Sequence, residues 1–401
     1  MTALARVATP AGALLALSIA VAAPFVAPAT APFAAQDAQV DVHRFVTHTI
    51  AAEMTNGYQP IVVDLNADGR LDVIGLSTRL PDLVWFENPD WQRHVITTGL
   101  NRSINLAARD LDGDGIPELA IAHAFGTTHP NSLGILSLLT HQGDPTRPWR
   151  VRELDRTPTV HRLRWADIDG SGRPVLISAP LSGPAATAPD YRDDVPLYWY
   201  RPDDWTRRTL AETGQGVVHG LQVKPWDDPE RDAVFSASFG GVQVHRYIDG
   251  EWIPELLVSG DPAPWPESGA SDVDTGRLGE RAFVTTIEPW HGPQVVVYRE
   301  DNGGWTRQVI DTIGSGHTIV TADFDNDGRD EIVTGDRGDS EMLYLYASTD
   351  PSGANWSRQT LDDDMSPSAC VVADLDADAD TDLVCIGGRT ANLKWYENVS
   401  P

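Results

Sequence analysis

The sequence predicts an all-β fold: a seven-bladed β-propeller of four-stranded blades, its ring closed by the N-terminal strand completing the last blade. Three landmarks carry this reading, and each recurs seven times. The first is an aromatic residue followed five places later by Ile or Leu, at Phe45, Trp91, Trp149, Trp205, Trp252, Trp305 and Trp356. The second is a β-rich run that often ends in aromatics, such as LVWFEN from Leu83 and LKWYEN from Leu393. The third is a short apolar run following a turn: DVIGL, ELAIA, VLISA, DAVFSA, RAFVTT, EIVTG and DLVCI. No stretch carries a convincing helical period, and four-stranded units repeated at roughly 45 to 60 residues can bury their edges by closing radially.

Closure follows from where the units start and stop. The outer-strand motif Phe45 to Ile50 precedes the first complete unit, while the last unit stops after its third strand at LKWYEN. The N-terminal strand therefore supplies the missing strand of the last blade. Residues 1–35 are different material: Arg6 stands before an Ala, Leu and Val run from Ala11, with small-residue cleavage options around Ala22, Ala29 and Ala35. They read as a secretory signal peptide, with the propeller over 36–401. The expectation is a secreted or periplasmic monomer with no membrane association beyond that peptide.

The blades differ in their turns. Blades 1, 2, 3, 6 and 7 carry an aspartate-rich turn after the first strand. Blade 4 replaces it with PWDDPERDA, and blade 5, around Ser271 to Thr286, keeps only DVDTGRLGER. The longest insertion, Pro180 to Pro196, lies in blade 3. Cys370 and Cys385 flank the last acidic turn and should face each other on adjacent antiparallel strands, as a disulfide or as two packed thiols.

Net charge is −28, and Lys224 and Lys394 are the only lysines, so phosphate backbones repel the chain and nucleic acid is excluded as a partner. The acidity fits either cation ligands or a hydrated surface. Oxygen donors at positions one, three, five and nine, with glycine at six, match the spacing of a calcium loop. The sets are Asp64, Asn66, Asp68 and Asp72 in blade 1, Asp110, Asp112, Asp114 and Glu118 in blade 2, and Asp323, Asp325, Asp327 and Glu331 in blade 6. The pattern weakens in blade 3, at Ser171 and Val175, and in blade 7, where Ala379 replaces glycine. Structural calcium and metal-free hydrogen-bonded turns both satisfy it.

A second pattern lies at the other end of the same strands. Aligned on the first turn residue, His161 and His317 stand six places upstream; His219 takes the same place by matching HGLQV to HRLRW and HTIVT, and Tyr58 occupies it in blade 1. First strands line a propeller's axis, so these four residues should form a ring on the face opposite the acidic turns. The loops after the second strands lie on the ring's face and carry Arg79, His123, Tyr191, His291, Arg337 and Arg389. Arg337 is expected to take part in the chemistry, and the other five to bind substrate. Two chemistries remain open: imidazoles holding zinc or manganese, or His and Tyr acting directly as base and acid.

The repeat resembles the FG-GAP or VCBS repeat of integrin-like propellers and many secreted bacterial proteins. The segments VHRLRWADIDGSGR, GHTIVTADFDNDGRDEIVTGDRG and TANLKWYEN look like the propeller of aldos-2-ulose dehydratases and of propeller enzymes that cleave rhamnose from glucuronate by elimination. What this resemblance implies is a lyase or dehydratase acting on a sugar or a uronate-containing glycan. Such chemistry needs a base, an acid and an arginine or metal to hold enolate charge. A non-catalytic, calcium-braced propeller that binds glycan or protein through its loops is the alternative.

Overall fold

In the computed structural model, which describes residues 43–213, 215–301 and 303–400, the strands form seven four-stranded antiparallel sheets. Blades 1 to 6 run consecutively outward from their first strands, which are Gly57–Val63, Asn105–Arg109, Val160–Ala166, Val218–Pro225, Asp272–Leu278 and Ile319–Ala322. Blade 7 consists of Pro367–Ala373, Asp382–Gly387, Leu393–Asn398 and, outermost, Phe45–Ala51. The N-terminal strand pairs in register with the last one, Phe45 opposite Asn398 and His48 opposite Trp395, so closure occurs as the unit count requires. The signal-peptide reading lies outside the described residues. Among these residues, no helix is long and apolar enough to cross a membrane.

Apolar side chains of neighbouring blades interleave. Leu65, Ile74, Trp85 and Ile96 of blade 1 pack with Leu106, Leu119, Ile121 and Leu139 of blade 2 in one buried cluster. Each such side chain contributes about 1.5 to 3 kcal/mol when fully buried, which makes blade–blade contact the main cohesive term. Nearer the axis the cohesion is polar. Gln59 bonds both the N–H and the carbonyl of Leu106, Asn105 accepts from Leu163 N–H, and Arg162 donates to the His219 carbonyl. Asp272 accepts from Ile319 N–H and Thr318 from Cys370 N–H. These bonds satisfy backbone groups at the inner edges of the sheets, where strand pairing ends.

The acidic turns are closed by their own backbones. The first aspartate, Asp64 or Asp323, accepts the N–H of the position-six glycine, Gly69 or Gly328, at 2.9 Å. The position-nine carboxylate starts the second strand and accepts the N–H that follows the first aspartate, as Asp72 does from Leu65 and Glu331 from Phe324. Burial pushes Asp72 and Asp382 up to about 6. In blade 3 position nine is Val175, which cannot accept, and a carboxylate of blade 4, Asp232, accepts the N–H of the first aspartate itself, Asp167. Blade 5 departs from expectation: DVDTGRL is its first strand rather than a residual acidic turn, and Gly279–Glu280 makes the reversal. Ala379 does not disrupt the blade 7 turn; it adopts the left-handed conformation itself, at φ +79°.

Cys370 and Cys385 are cross-strand partners and form a disulfide. Two outcomes follow. Denatured without reductant, the protein should expose no reactive thiol, as thiol titration will show. Ala379→Gly should stabilise the fold by about 1 kcal/mol by relieving an L-residue at positive φ, and Gly328→Ala should cost about as much, both read as shifts in calorimetric melting temperature.

Candidate active site

Three of the four ring residues, Tyr58, His161 and His219, are aimed at the axis by a local irregularity, while His317 stands two residues before the first strand of blade 6. In blades 1, 3, 4 and 7 the pairing of first and second strands slips by one residue at Tyr58, His161, His219 and Ser368. Each of these is the extra residue of a β-bulge, which re-aims its side chain and lets the following residue face the axis as well. Arg162, absent from the expected set, joins the site this way. Its guanidinium lies 5.4 Å from the Tyr58 ring centre. The adjacency of Arg162 to a ring histidine was the available signal, but strand alternation argues against it unless the bulge is known.

The register prediction brings its four residues together. Ring centres are 4.9 Å apart for His161 and His219, 4.8 Å for His219 and His317, and 5.3 Å for Tyr58 and His317. The Tyr58 hydroxyl lies 2.8 Å from His161 Nε2. His291, expected as a substrate-binding loop residue, enters the cluster instead: its Nε2 is 3.1 Å from His219 Nε2, and its ring is 5.0 Å from that of His317. His161, His219 and His317 are each only 2 % exposed. Tyr58, His291 and Arg337 are half-buried and form the accessible part of the cluster.

Two tautomers are fixed by the neighbouring blades. His219 donates Nδ1–H to the Ser271 carbonyl at 3.0 Å, and His317 donates Nδ1–H to the Ser368 carbonyl at 2.5 Å. Both rings therefore present a bare Nε2. The ligand atoms of His219, His291 and His317 all lie within 4.8 Å of one another. Imidazoles tied back to carbonyls and converging on one point are a donor set that fits a transition metal, with room left for a substrate oxygen. Metal-free, His291 can donate its Nε2–H to His219.

Electrostatics favour neutral rings. Burial, reinforced by Arg162 and other positive or ionisable neighbours, holds His161, His219 and His317 well below the usual 6.5. Burial, Arg337 and Arg162 take His291 down to about 3. Among the described residues no carboxylate pairs with Arg337, whose Nη1 is buried without a hydrogen-bond partner. Beneath the cluster, the axial channel encloses about 380 Å³ and shares only His317 with it among the histidines. Its charges are largely compensated: Lys224 pairs with Asp274 at 2.6 Å, and Asp272, raised to about 6 by burial, faces Arg162 and Arg164. The uncompensated charge lies at the histidine end.

Other expected binding residues lie elsewhere. His123 is held inside blade 2, with Nε2 3.0 Å from Ser137 Oγ. Arg389 is neutralised by Asp339 and Glu341, and Arg79 is exposed to solvent. Tyr191 stands one layer behind the site, packed edge-on to Trp290, which in turn lies against His291. On the opposite face, the carboxylates of Asp110, Asp112 and Glu118 converge, as do those of Asp323, Asp325 and Asp327. Asp64, Asp68 and Asp72 do not form such a group among the described residues: position three, an aspartate in the turns of blades 2, 6 and 7, is Asn66 here, which donates to Asp68 and Glu87. Asp374, Asp376 and Asp382 of blade 7 do converge.

Residues 134–301 match the family model for the β-propeller domain of aldos-2-ulose dehydratase, and residues 64–121 and 323–385 match the FG-GAP-like repeat. The chain resembles that propeller. Aldos-2-ulose dehydratase of Phanerodontia chrysosporium is 25 % identical over 266 residues, 56 % of this chain but only 28 % of that protein. A crystal structure of a putative 6-phosphogluconolactonase from Bacteroides uniformis shares the fold, with TM-score 0.52 and 12 % identity over 83 % of this chain and 90 % of that one. The rhamnogalacturonan lyase YesW aligns with TM-score 0.47 and 15 % identity over 90 % of this chain and 76 % of its own.

The electrostatics make a direct prediction. Nitrogen-detected NMR should find His161, His219, His291 and His317 still neutral well below pH 6.5, where a free imidazole is protonated. As the four folded values lie below the unfolded one, the unfolded chain takes up these protons first. Their contribution to stability is therefore complete above about pH 6.5 and declines as pH falls below it.

Proposed function

We propose that this chain is an exported, monomeric, carbohydrate-active lyase or dehydratase that works by β-elimination on a sugar or uronate-containing glycan. The observation that carries this reading is one juxtaposition: three converging imidazoles, a Tyr58–His161 pair at 2.8 Å, and an arginine, Arg337, without a carboxylate partner among the described residues. The segment resembling the dehydratase propeller, 134–301, includes His161, His219 and His291 and supports the same reaction class.

Each group has a task. Arg337 binds the carboxylate or carbonyl of the substrate and stabilises the enolate charge that develops there. Within the Tyr58–His161 pair, His161 takes the proton from the adjacent carbon and Tyr58 gives its own to the departing oxygen; the C–H electron pair becomes the double bond as the C–O bond breaks, and proton transfer from His161 to Tyr58 restores the pair. Arg162 holds the Tyr58 ring in place. His219, His291 and His317 would hold zinc or manganese, which when bound would supply Lewis-acid polarisation of a substrate oxygen. The bare Nε2 atoms of His219 and His317, converging with His291, suit these three rings to ligation, whereas His161 is taken up by the Tyr58 hydroxyl. On the opposite face Asp110, Asp112 and Glu118, which offer only oxygen, would hold calcium as a brace for blade 2.

Purified protein should generate ultraviolet-absorbing unsaturated product from a uronate-containing glycan or a keto-sugar. Tyr58→Phe and His317→Ala should each lower kcat at least about 100-fold. Chelation should abolish turnover, and zinc or manganese should restore it. Full activity in both variants would place the chemistry elsewhere. Saturable glycan binding without turnover would favour the binding-module alternative.

A further inference from the structure

The acidic turn of blade 6 meets a histidine from the N-terminal end of the chain, placed against two of its carboxylates; the histidine at the blade 2 turn, His141, belongs to the same blade and meets Asp114 alone, at 3.1 Å. His43 lies two residues before Phe45–Ala51, the strand that closes the ring, and is only 4 % exposed. Its Nε2 is buried and has no hydrogen-bond partner. That nitrogen stands 3.4 Å from Asp325 Oδ2 and 3.4 Å from Glu331 Oε2. The other two carboxylates of the turn are already engaged: Asp327 pairs with Arg329, and Asp323 accepts the N–H groups of Asp327 and Gly328. Asp325 and Glu331 retain lone pairs facing the buried imidazole.

We propose that His43, Asp325 and Glu331 form a binding site for a divalent transition metal of the zinc or manganese class, which clamps the ring-closing N-terminal segment to blade 6. The separations favour a shared cation over a direct contact. Hydrogen bonds to carboxylate are ordinarily about 2.7 to 2.9 Å long, whereas ligands about 2.0 to 2.2 Å from a tetrahedral metal are about 3.3 to 3.5 Å apart. The donor set also distinguishes this turn from its relatives. Calcium takes oxygen alone, and an imidazole nitrogen shifts preference toward zinc, manganese or cobalt. The cation would offset the negative charge of two carboxylates that, among the described residues, pair with no Lys or Arg, and would satisfy the orphaned nitrogen. Lying on the acidic face, the site is separate from the histidine cluster and independent of the proposed reaction.

Equilibrium dialysis of the full chain against zinc, with the bound metal quantified, tests this. His43→Ala and Asp325→Asn should each lose one equivalent of zinc that His317→Ala retains. Both leave the side chain of Glu331 and its bond to Phe324 in place, and the His43 carbonyl, which accepts from Gln359, is unchanged. In a thermal melt, zinc should raise the melting temperature of His317→Ala but not of the His43→Ala, His317→Ala double variant. The proposal is overturned if His43→Ala binds as many equivalents as wild type with affinity within twofold, or if zinc stabilises the double variant as much as the single one.

Discussion

The polar bonds between first strands are the constraint on which the rest of the molecule depends. Seven sheets meeting at an axis leave backbone donors and acceptors along their inner edges, where strand pairing ends and water has limited access. Gln59, Asn105, Arg162, Asp272 and Thr318 each reach to the next blade and satisfy some of them. An unpaired buried backbone group costs about as much as a lost hydrogen bond, so these side chains stabilise the ring and fix how the blades are rotated relative to one another. The same bonding extends to the site. The backbone carbonyls of Ser271 and Ser368 hold His219 and His317 in a single tautomer, so the orientation of each imidazole is a property of blade-to-blade contact.

That coupling explains the division of labour between the two faces. At the acidic face, carboxylates close turns and start strands, and much of their hydrogen-bonding capacity is spent on backbone N–H groups. At the other face, cationic and neutral nitrogen groups collect in a buried place, and Arg337 is left without a carboxylate. A site of this kind excludes protons from its imidazoles and attracts anions, the two properties needed to hold a metal and to receive a carboxylate or a developing enolate. The channel between the faces has its own charges largely paired and so does not offset the field at the ring.

Much of this was legible in the sequence because it repeats. Period-two patterning, the seven aromatic landmarks and the acidic turns each report local structure, and their agreement left one architecture. The shared register of Tyr58, His161, His219 and His317 was legible for the same reason: equal distance from an equivalent turn means equal height along the axis. Loop residues were harder to place. His291 and Arg337 reach the cluster, whereas His123 turns into its own blade and Arg389 is claimed by Asp339 and Glu341. Their positions in sequence are comparable, and only the surrounding side chains separate them.

By itself, then, the sequence determined the number of blades, the closing strand, the two faces and the height of the histidine ring, since all of these follow from strand periodicity and repeat spacing. The tertiary structure decided which side chains converge. The bulges at Tyr58, His161 and His219 brought Arg162 into the site, and the packing of blade 5 brought in His291. Closure set His43 against blade 6. The physical reason is that convergence depends on residues far apart in the chain, whose relative placement is set by packing between blades and not by any local pattern.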